Sequence, residues 1–149
     1  MKLFICRAFL LAASLAAAAS GATAQPTEGT SADELVSAGL KALRQIDEDR
    51  ASDLWDDTSA FVKTSKPRDQ FLKELREARS TVGTVRKRDW ASVVRVQYLD
   101  GSVTPPPGLY ANIDYATRLA NGTTVFEKLS FRLEPNGWRL TGYQPRQNQ

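Results

Sequence analysis

The chain has 149 residues, of which 42% are hydrophobic and 25% charged, so it suits one globular domain and is too apolar for general disorder. It contains no histidine and one cysteine, Cys6. These counts exclude Ser-His-Asp and Cys-His catalytic groups, histidine-ligated zinc sites and a disulfide within the chain. We expect the protein to have no cofactor and no bound metal, and we assign no catalytic residue.

Residues 1–24 have the pattern of a secretory signal peptide. Two basic residues precede a small-apolar run over residues 8–19, and Ala22-Thr23-Ala24 fits the motif that signal peptidases cut. The run is shorter than the ~20 residues of a membrane-spanning helix. The single cysteine stands before the run, whereas a lipid-bearing cysteine would follow it. The sequence therefore predicts a periplasmic protein, cleaved after Ala24 and without a stable membrane anchor.

The charge of the chain is unevenly distributed. Of its 20 basic and 17 acidic residues, Lys2 and Arg7 would leave with the signal peptide, so the mature chain keeps a net charge of +1. This near-neutral value argues against nucleic acid as a partner. Residues 25–83 carry nine basic and twelve acidic residues, whereas residues 84–149 carry nine basic and five acidic. Such asymmetry could orient a partner or favour self-association.

Residues 25–30 are short and polar and predict a flexible leader, followed by one domain over residues 31–146. Ser31 and Glu34 have the spacing of a capping box, and apolar residues then recur at helical spacing as far as Ile46. A shorter helix is predicted over about residues 51–58. A third helix is predicted from Ser65 to Gly83, with a proline in its first turn.

After Gly83 the hydrophobic period changes from about 3.6 to 2, which predicts four half-buried strands. The Asn-Gly pairs at 121–122 and 136–137 predict type I′ hairpin turns. The fold class is therefore α+β, with three helices packed on one face of a four-stranded antiparallel meander. Alternation assigns to the inward face Val94, Val96, Tyr98, Leu109, Ala111, Ile113, Tyr115, Val125, Leu129, Phe131, Leu133, Trp138 and Leu140. The largest core side chains are expected to be Trp55, Phe71, Leu75, Phe131 and Trp138.

The segment Trp138-Arg139-Leu140-Thr141-Gly142-Tyr143 resembles the closing W-R-V-x-G-Y of a bacterial family known as domain of unknown function 4019. Further similarities to that family occur in order at Phe71, Gly83, Arg88, Gly108-Leu109-Tyr110 and Glu127, so the resemblance covers residues 33–143. The triple-proline loop at 105–107 is longer than is usual there. The resemblance implies an exported Gram-negative protein with a small α+β domain, and it implies no activity. The element order is also similar to cystatin-like and nuclear transport factor 2-like cones.

Glu127, Arg88 and Tyr115 are the candidates for a pocket or a buried polar cluster. Glu127 shares strand parity with Val125 and Leu129, so it should face the helices, where a carboxylate must find a partner or have its pKa raised. Arg88 is the candidate partner, because it shares strand parity with Val94 and Val96 provided that no bulge intervenes. Alternatively, residues 86–88 are simply a solvated basic run at the start of a strand. Glu127 could hold the sheet in register, or it could act as a general acid or base.

A second set of candidates forms an interaction face on the outer side of the sheet. By parity this face carries Tyr110, Phe126, Lys128, Arg132, Arg139 and Tyr143. The acidic residues between 47 and 57 lack the spacing of an EF-hand loop, and we expect them to form a solvated helix face without a metal.

These features favour an exported, non-enzymatic binding or assembly module. Such a module would use either the outer face of the sheet or a pocket under it, and its partner at the outer face would be an envelope protein or a second copy. The alternative is a small acid/base enzyme of isomerase or dehydratase type, using Glu127 in a pocket under the sheet, with a tyrosine or Arg88 as helper. A structural envelope protein without a small ligand is a third hypothesis.

Overall fold

The computed structural model describes residues 31–147, and the predicted signal peptide and leader lie outside these described residues. Four helices precede four strands in the chain. The helices are α1 (Ala32–Asp47), α2 (Ala51–Asp56), α3 (Ala60–Ser65) and α4 (Arg68–Ser80), and the strands are β1 (Val85–Tyr98), β2 (Gly108–Leu119), β3 (Thr124–Glu134) and β4 (Gly137–Arg146).

The predicted fold class is confirmed, because the strands form one antiparallel meander in the order β1-β2-β3-β4 and the helices pack against one of its faces. We call the helix-covered side the inner face and the other side the outer face. Within residues 31–147, no helix is long and apolar enough to span a membrane.

Helix α1 begins where the sequence predicts. The Ser31 hydroxyl accepts a hydrogen bond from the backbone N–H of Asp33 at 3.1 Å, which satisfies one of the free donors of the first turn. The helix ends at Asp47, and Asp49 follows with a φ of 52° that turns the chain away.

Helix α3 is the element that the pattern did not predict, and with it the number of helices is four rather than three. Six residues are too few for a helix to be stable by propensity alone. The β3–β4 hairpin supports it instead: Glu134 Oε1 accepts from Ser59 Oγ at 2.6 Å and from the N–H of Ala60 at 3.1 Å. Ser59 also donates its N–H to the carbonyl of Leu140 at 2.9 Å. Because these contacts come from residues far along the chain, the local sequence of α3 gives little indication of a helix.

The inner face of β1 differs from the prediction, which placed Val94, Val96 and Tyr98 there. An irregularity between Trp90 and Ser92 breaks the pairing register with β2. One extra residue reverses the side-chain parity of everything beyond it. Val94 and Val96 therefore lie on the outer face, 51% and 36% exposed, whereas Val93 packs against the core.

A second irregularity, in β4, overturns the assignment of Tyr143 to the outer face. The register with β3 shifts between the pairs Phe131–Leu140 and Ser130–Gly142, which leaves Thr141 as the extra residue. Tyr143 pairs with Leu129, which is fully buried on the inner face. The other five residues predicted for the interaction face do lie on the outer face, by their pairing with one another or with outer-face neighbours.

The two hairpins lie at the predicted Asn-Gly pairs, but neither forms the predicted type I′ turn. A type I′ turn needs positive φ at both central residues. Here the positive φ falls on the glycines, with 87° at Gly122 and 96° at Gly137, and on neither asparagine.

The main core lies between the helices and the inner face. Phe71, Leu75 and Phe131 are buried there as predicted, at 6%, 5% and 2% exposure. Trp55 and Trp138 are partly buried and pack against this cluster from its rim. Trp55 also contacts the Phe71 ring at a centroid distance of 5.3 Å.

Candidate functional site

Glu127 lies at the centre of a buried polar cluster on the inner face. It is fully enclosed, with no solvent-exposed surface. Its Oε1 accepts from Arg88 Nε at 2.6 Å and from Thr117 Oγ1 at 2.5 Å. Its Oε2 accepts from Tyr143 Oη at 2.6 Å and from Arg88 Nη2 at 3.3 Å. Both oxygens of this carboxylate are therefore occupied by donors from three strands.

Arg88 connects this carboxylate to helix α1. Its Nη2 donates to Asp47 Oδ1 at 3.0 Å, and its Nη1 donates to the other oxygen of Asp47. The same aspartate accepts from Arg79 Nε of α4 at 2.9 Å. The sheet is thereby joined to both long helices through charged groups. We call this cluster the ionic network; its members are Asp47, Arg79, Arg88, Thr117, Glu127 and Tyr143.

The network shifts the pKa values of Asp47, Arg88 and Tyr143. Burial alone would raise the pKa of Asp47, but the hydrogen bonds and charges of Arg88 and Arg79 lower it below its ordinary value. Burial alone would lower the pKa of Arg88, but Asp47 and Glu127 raise it on balance. Burial, followed by the nearby Glu127 charge, raises the pKa of Tyr143, which stays a protonated donor.

Tyr115 lies beside the network without joining it. It is opposite Glu127 in the β2–β3 pairing and is 1% exposed. Its hydroxyl donates to the carbonyl of Val36 in α1 at 2.8 Å. Burial raises the pKa of Tyr115 to about 12, with the charge of Arg88 opposing the shift. This tyrosine therefore serves as an anchor between sheet and helix.

The chemistry open to Glu127 is limited by this enclosure. A general base must come within about 2.6–3.2 Å of the proton that it removes, directly or through one water. Two surface cavities of about 310 and 320 Å³ adjoin the network, one lined by Tyr143 and the other by Asp47 and Arg79. Glu127 lines neither of them. The arrangement joins elements of the fold and presents no free carboxylate to a substrate.

The outer face carries a separate groove of about 390 Å³ that crosses the sheet from β1 to β4. Tyr98 and Tyr110 meet edge-to-face in its wall, with ring centroids 5.2 Å apart. The proline loop covers this end, since the carbonyl of Pro106 accepts from Tyr110 Oη at 3.0 Å and the carbonyl of Pro107 accepts from Arg132 Nη2 at 2.9 Å. Tyr110 is consequently only 9% exposed although it lies on the outer face.

The cations of the outer face differ in whether they are paired. Arg139 contacts Asp57 at 3.3 Å, Arg132 lies 3.6 Å from Glu134, and Arg146 contacts Asp114 at 2.6 Å. Within residues 31–147, the side chain of Lys128 makes no hydrogen bond and no ion pair. Lys128 therefore remains as an unneutralised charge in the middle of this face.

The acidic residues predicted as a solvated helix face are partly engaged in cross-element pairs. Asp47 belongs to the ionic network, and Asp57 accepts from Lys41 Nζ at 2.6 Å and from Arg139 Nη1 at 3.3 Å. Over the described range, no cluster of three or more acidic or cysteine side chains is arranged to hold a metal ion.

Four members of the network were missed by inspection of the sequence, although three left a signal. Asp47 follows Leu43 by four residues and so continues the buried stripe of α1. Thr117 shares the parity of Tyr115 on β2. Tyr143 follows Gly142, and a glycine inside a strand often marks a bulge. Arg79, in the last turn of a polar helix, left no distinguishing signal.

The fold and site together define a small α+β domain whose sheet is fixed to its helices by a buried ionic network. A family model described as protein of unknown function, DUF4019, matches residues 38–143. The match spans most of the chain, and the chain belongs to this family. No curated protein and no solved structure matches it.

Proposed function

We propose that this protein is exported to the periplasm and acts there as a non-enzymatic binding or assembly module through the outer face of its sheet. The export part is supported by the charge, apolar run and small-residue motif of residues 1–24.

The observation that carries the non-enzymatic role is the state of Glu127. It is completely enclosed, and its two oxygens accept hydrogen bonds from Arg88, Thr117 and Tyr143. A carboxylate in that state lacks the access that acid/base catalysis requires. The isomerase-like or dehydratase-like alternative would need these bonds to open, so the binding role is the better supported of the two.

The outer face supplies the surface for binding. It holds an open groove, exposed valines at positions 94 and 96, and an unneutralised lysine at position 128. A sheet whose inner face is fixed by the ionic network, and whose outer face holds an open groove, can present that outer face as a binding surface. A small ligand, an envelope protein or a second copy could each meet this face.

Export is tested by expressing the full-length chain in a Gram-negative host, isolating the periplasmic fraction and measuring the intact mass of the protein. We expect the mass of residues 25–149 with no added lipid. Retention of residues 1–24, or a lipid adduct, would contradict the proposed processing.

Binding is tested by equilibrium dialysis of the purified protein against the small-molecule fraction of a periplasmic extract, with mass spectrometry of both chambers. A binding module depletes particular compounds from the free pool and returns them unchanged after denaturation. An enzyme produces new masses that increase with time. Product formation would overturn the non-enzymatic role. If nothing is depleted and sedimentation shows a monomer without partners, the binding role itself would be overturned.

A further inference from the structure

We propose that the outer-face groove is a binding site for a small amphipathic organic monoanion, with its carboxylate at Lys128 and its apolar body along Val96, Tyr98 and Tyr110. This inference rests on the binding role proposed above and names the class of ligand. It follows from the charge of the groove, its free donors and its aromatic wall.

The charge of the groove is a single positive one. Among the described residues that line it, Lys128 alone is charged. The acid directly opposite Lys128 in the β2–β3 pairing is Asp114, but Asp114 accepts from Arg146 Nη2 at 2.6 Å and from Ser92 Oγ at 3.0 Å. The nearest cross-strand carboxylate is thus held by other donors, and a ligand carboxylate can take its place at Lys128.

A hydrogen-bond donor lines the same groove as the lysine. Ser130 Oγ donates to Asn112 Oδ1 at 2.6 Å, which turns the amide nitrogen of Asn112 away from this bond. Within residues 31–147, that nitrogen donates to no acceptor. An ammonium group and an amide N–H₂ on neighbouring strands together match the two oxygens of a carboxylate.

The apolar part of the groove favours a flat or chain-like body. Val96 is 36% exposed, and the Tyr98 and Tyr110 rings stand edge-to-face at 85° beside it. Aromatic walls with a few placed polar groups are typical of sites for small molecules, and about 390 Å³ is within their usual range of roughly 300–1,000 Å³. We therefore assign a free small molecule to this groove and not a protein segment.

The experiment uses three probes with one apolar body and different head groups: phenylbutyrate, phenylbutyramide and phenylbutylamine. Each is titrated into isotope-labelled protein, expressed as the full chain and purified from the periplasm, and amide shifts are followed by NMR. We expect saturable shifts at Asn112, Lys128 and Ser130 with phenylbutyrate, and binding about tenfold weaker for the neutral and cationic probes.

Three variants locate the site. Lys128→Gln should weaken phenylbutyrate binding about tenfold and remove the preference for the anion. Arg118→Gln is the matched control, because Arg118 is an exposed outer-face cation that does not line the groove. Gly142→Leu should fill the groove floor and abolish binding while the protein stays folded, since a Cβ at Gly142 meets no atom within 4 Å.

Equal binding of all three probes, or loss with Arg118→Gln as large as with Lys128→Gln, would overturn the assignment. Shifts that map to another surface would do the same. If compounds of the periplasmic extract are bound but Gly142→Leu does not affect them, the binding role stands and this site is wrong. If neither the phenylbutyrate probe nor any compound of the extract is bound, both this site and the proposed binding role are wrong.

Discussion

At the scale of single residues, the pair of Arg88 and Glu127 has the largest expected effect. Both side chains are almost completely withdrawn from solvent, with exposures of 10% and 0%. Such pairs add little net stability compared with apolar side chains of equal size, yet removal of one partner leaves an uncompensated buried charge. The loss of stability on mutating one residue of the pair therefore comes mainly from the buried charge of the partner that remains.

Replacing Glu127 with Gln, or Arg88 with Gln, should each lower the free energy of unfolding by about 3–5 kcal/mol. The double variant should lose less than the sum, because the second change removes the stranded charge. Urea denaturation of the four proteins measures this cycle. Arg139→Gln serves as a control, since its partly exposed pair with Asp57 should change stability by about 1 kcal/mol or less. Strict additivity would show that the two groups are not coupled.

Gly39 is a second residue with a clear steric reason for its identity. It lies inside α1, where alanine would ordinarily stabilise by about 1 kcal/mol. A Cβ built at Gly39 comes within 2.5 Å of Tyr115 Oη and 3.0 Å of Tyr115 Cε2. The ring would have to move, and its hydrogen bond to Val36 would stretch or break.

Gly39→Ala should therefore destabilise the protein by about 1–3 kcal/mol, against the direction of helix propensity. Thermal and urea unfolding both report this. Combining it with Tyr115→Phe should cost less than additively, because the clashing hydroxyl is gone. If Gly39→Ala instead stabilised the protein, the contact between Gly39 of α1 and Tyr115 of β2 would have to be looser than in this structure.

At the scale of elements, strand β3 tests the register of the whole sheet. Phe131 and Phe126 lie on the same strand but on opposite faces: Phe131 is 2% exposed in the core, and Phe126 is partly exposed on the outer face. The two faces should respond very differently to the same chemical change.

Phe131→Ala should cost about 3–5 kcal/mol, because it leaves a cavity between the sheet and the helices. Phe126→Ala should cost less than half as much, since its side chain already contacts water. Equilibrium unfolding of both variants is the measurement. Equal losses would mean that β3 does not separate a core face from a solvent face.

At the scale of the whole molecule, stability should be greatest between acid and alkaline limits set by different groups. The pKa of Asp47 is below its ordinary 3.8 in the folded protein, so the unfolded chain takes up protons first as the pH falls, and stability is lost below about pH 4. The pKa of Tyr115 is raised from 10.0 to about 12, so the unfolded chain releases its proton first, and stability is lost as the pH rises above 10.

Urea unfolding across a pH series checks both limits. Asp47→Asn should make the loss on the acid side shallower, and Tyr115→Phe should make the loss on the alkaline side shallower, each leaving the other side in place. Part of the alkaline loss should persist in Tyr115→Phe, because burial and Glu127 also raise the pKa of Tyr143. An acid limb unaffected by Asp47→Asn would assign the loss to other carboxylates, such as Asp57, whose pKa is also lowered by Lys41 and Arg139 against the effect of burial.

Hydrophobic spacing and turn residues were sufficient to predict the order of the elements other than α3, the fold class and the inward direction of Glu127. These features are local: a period of 3.6 or 2 selects which face of a helix or strand is buried, whatever the rest of the chain does. The burial of Phe71, Leu75 and Phe131 follows from the same rule.

Tertiary structure decided the rest, because the remaining features depend on partners distant in the chain. The bulges near Ala91 and at Thr141 reverse parity, so Val94 and Val96 lie outside and Tyr143 inside. Helix α3 exists through its bonds to Glu134 and Leu140, more than 70 residues away. The ionic network needs Asp47, Arg88 and Glu127 to meet from a helix and two strands. A one-residue insertion costs little free energy locally but changes the face of every residue after it. The alternation of apolar and polar residues along one strand gives no indication of where such an insertion occurs.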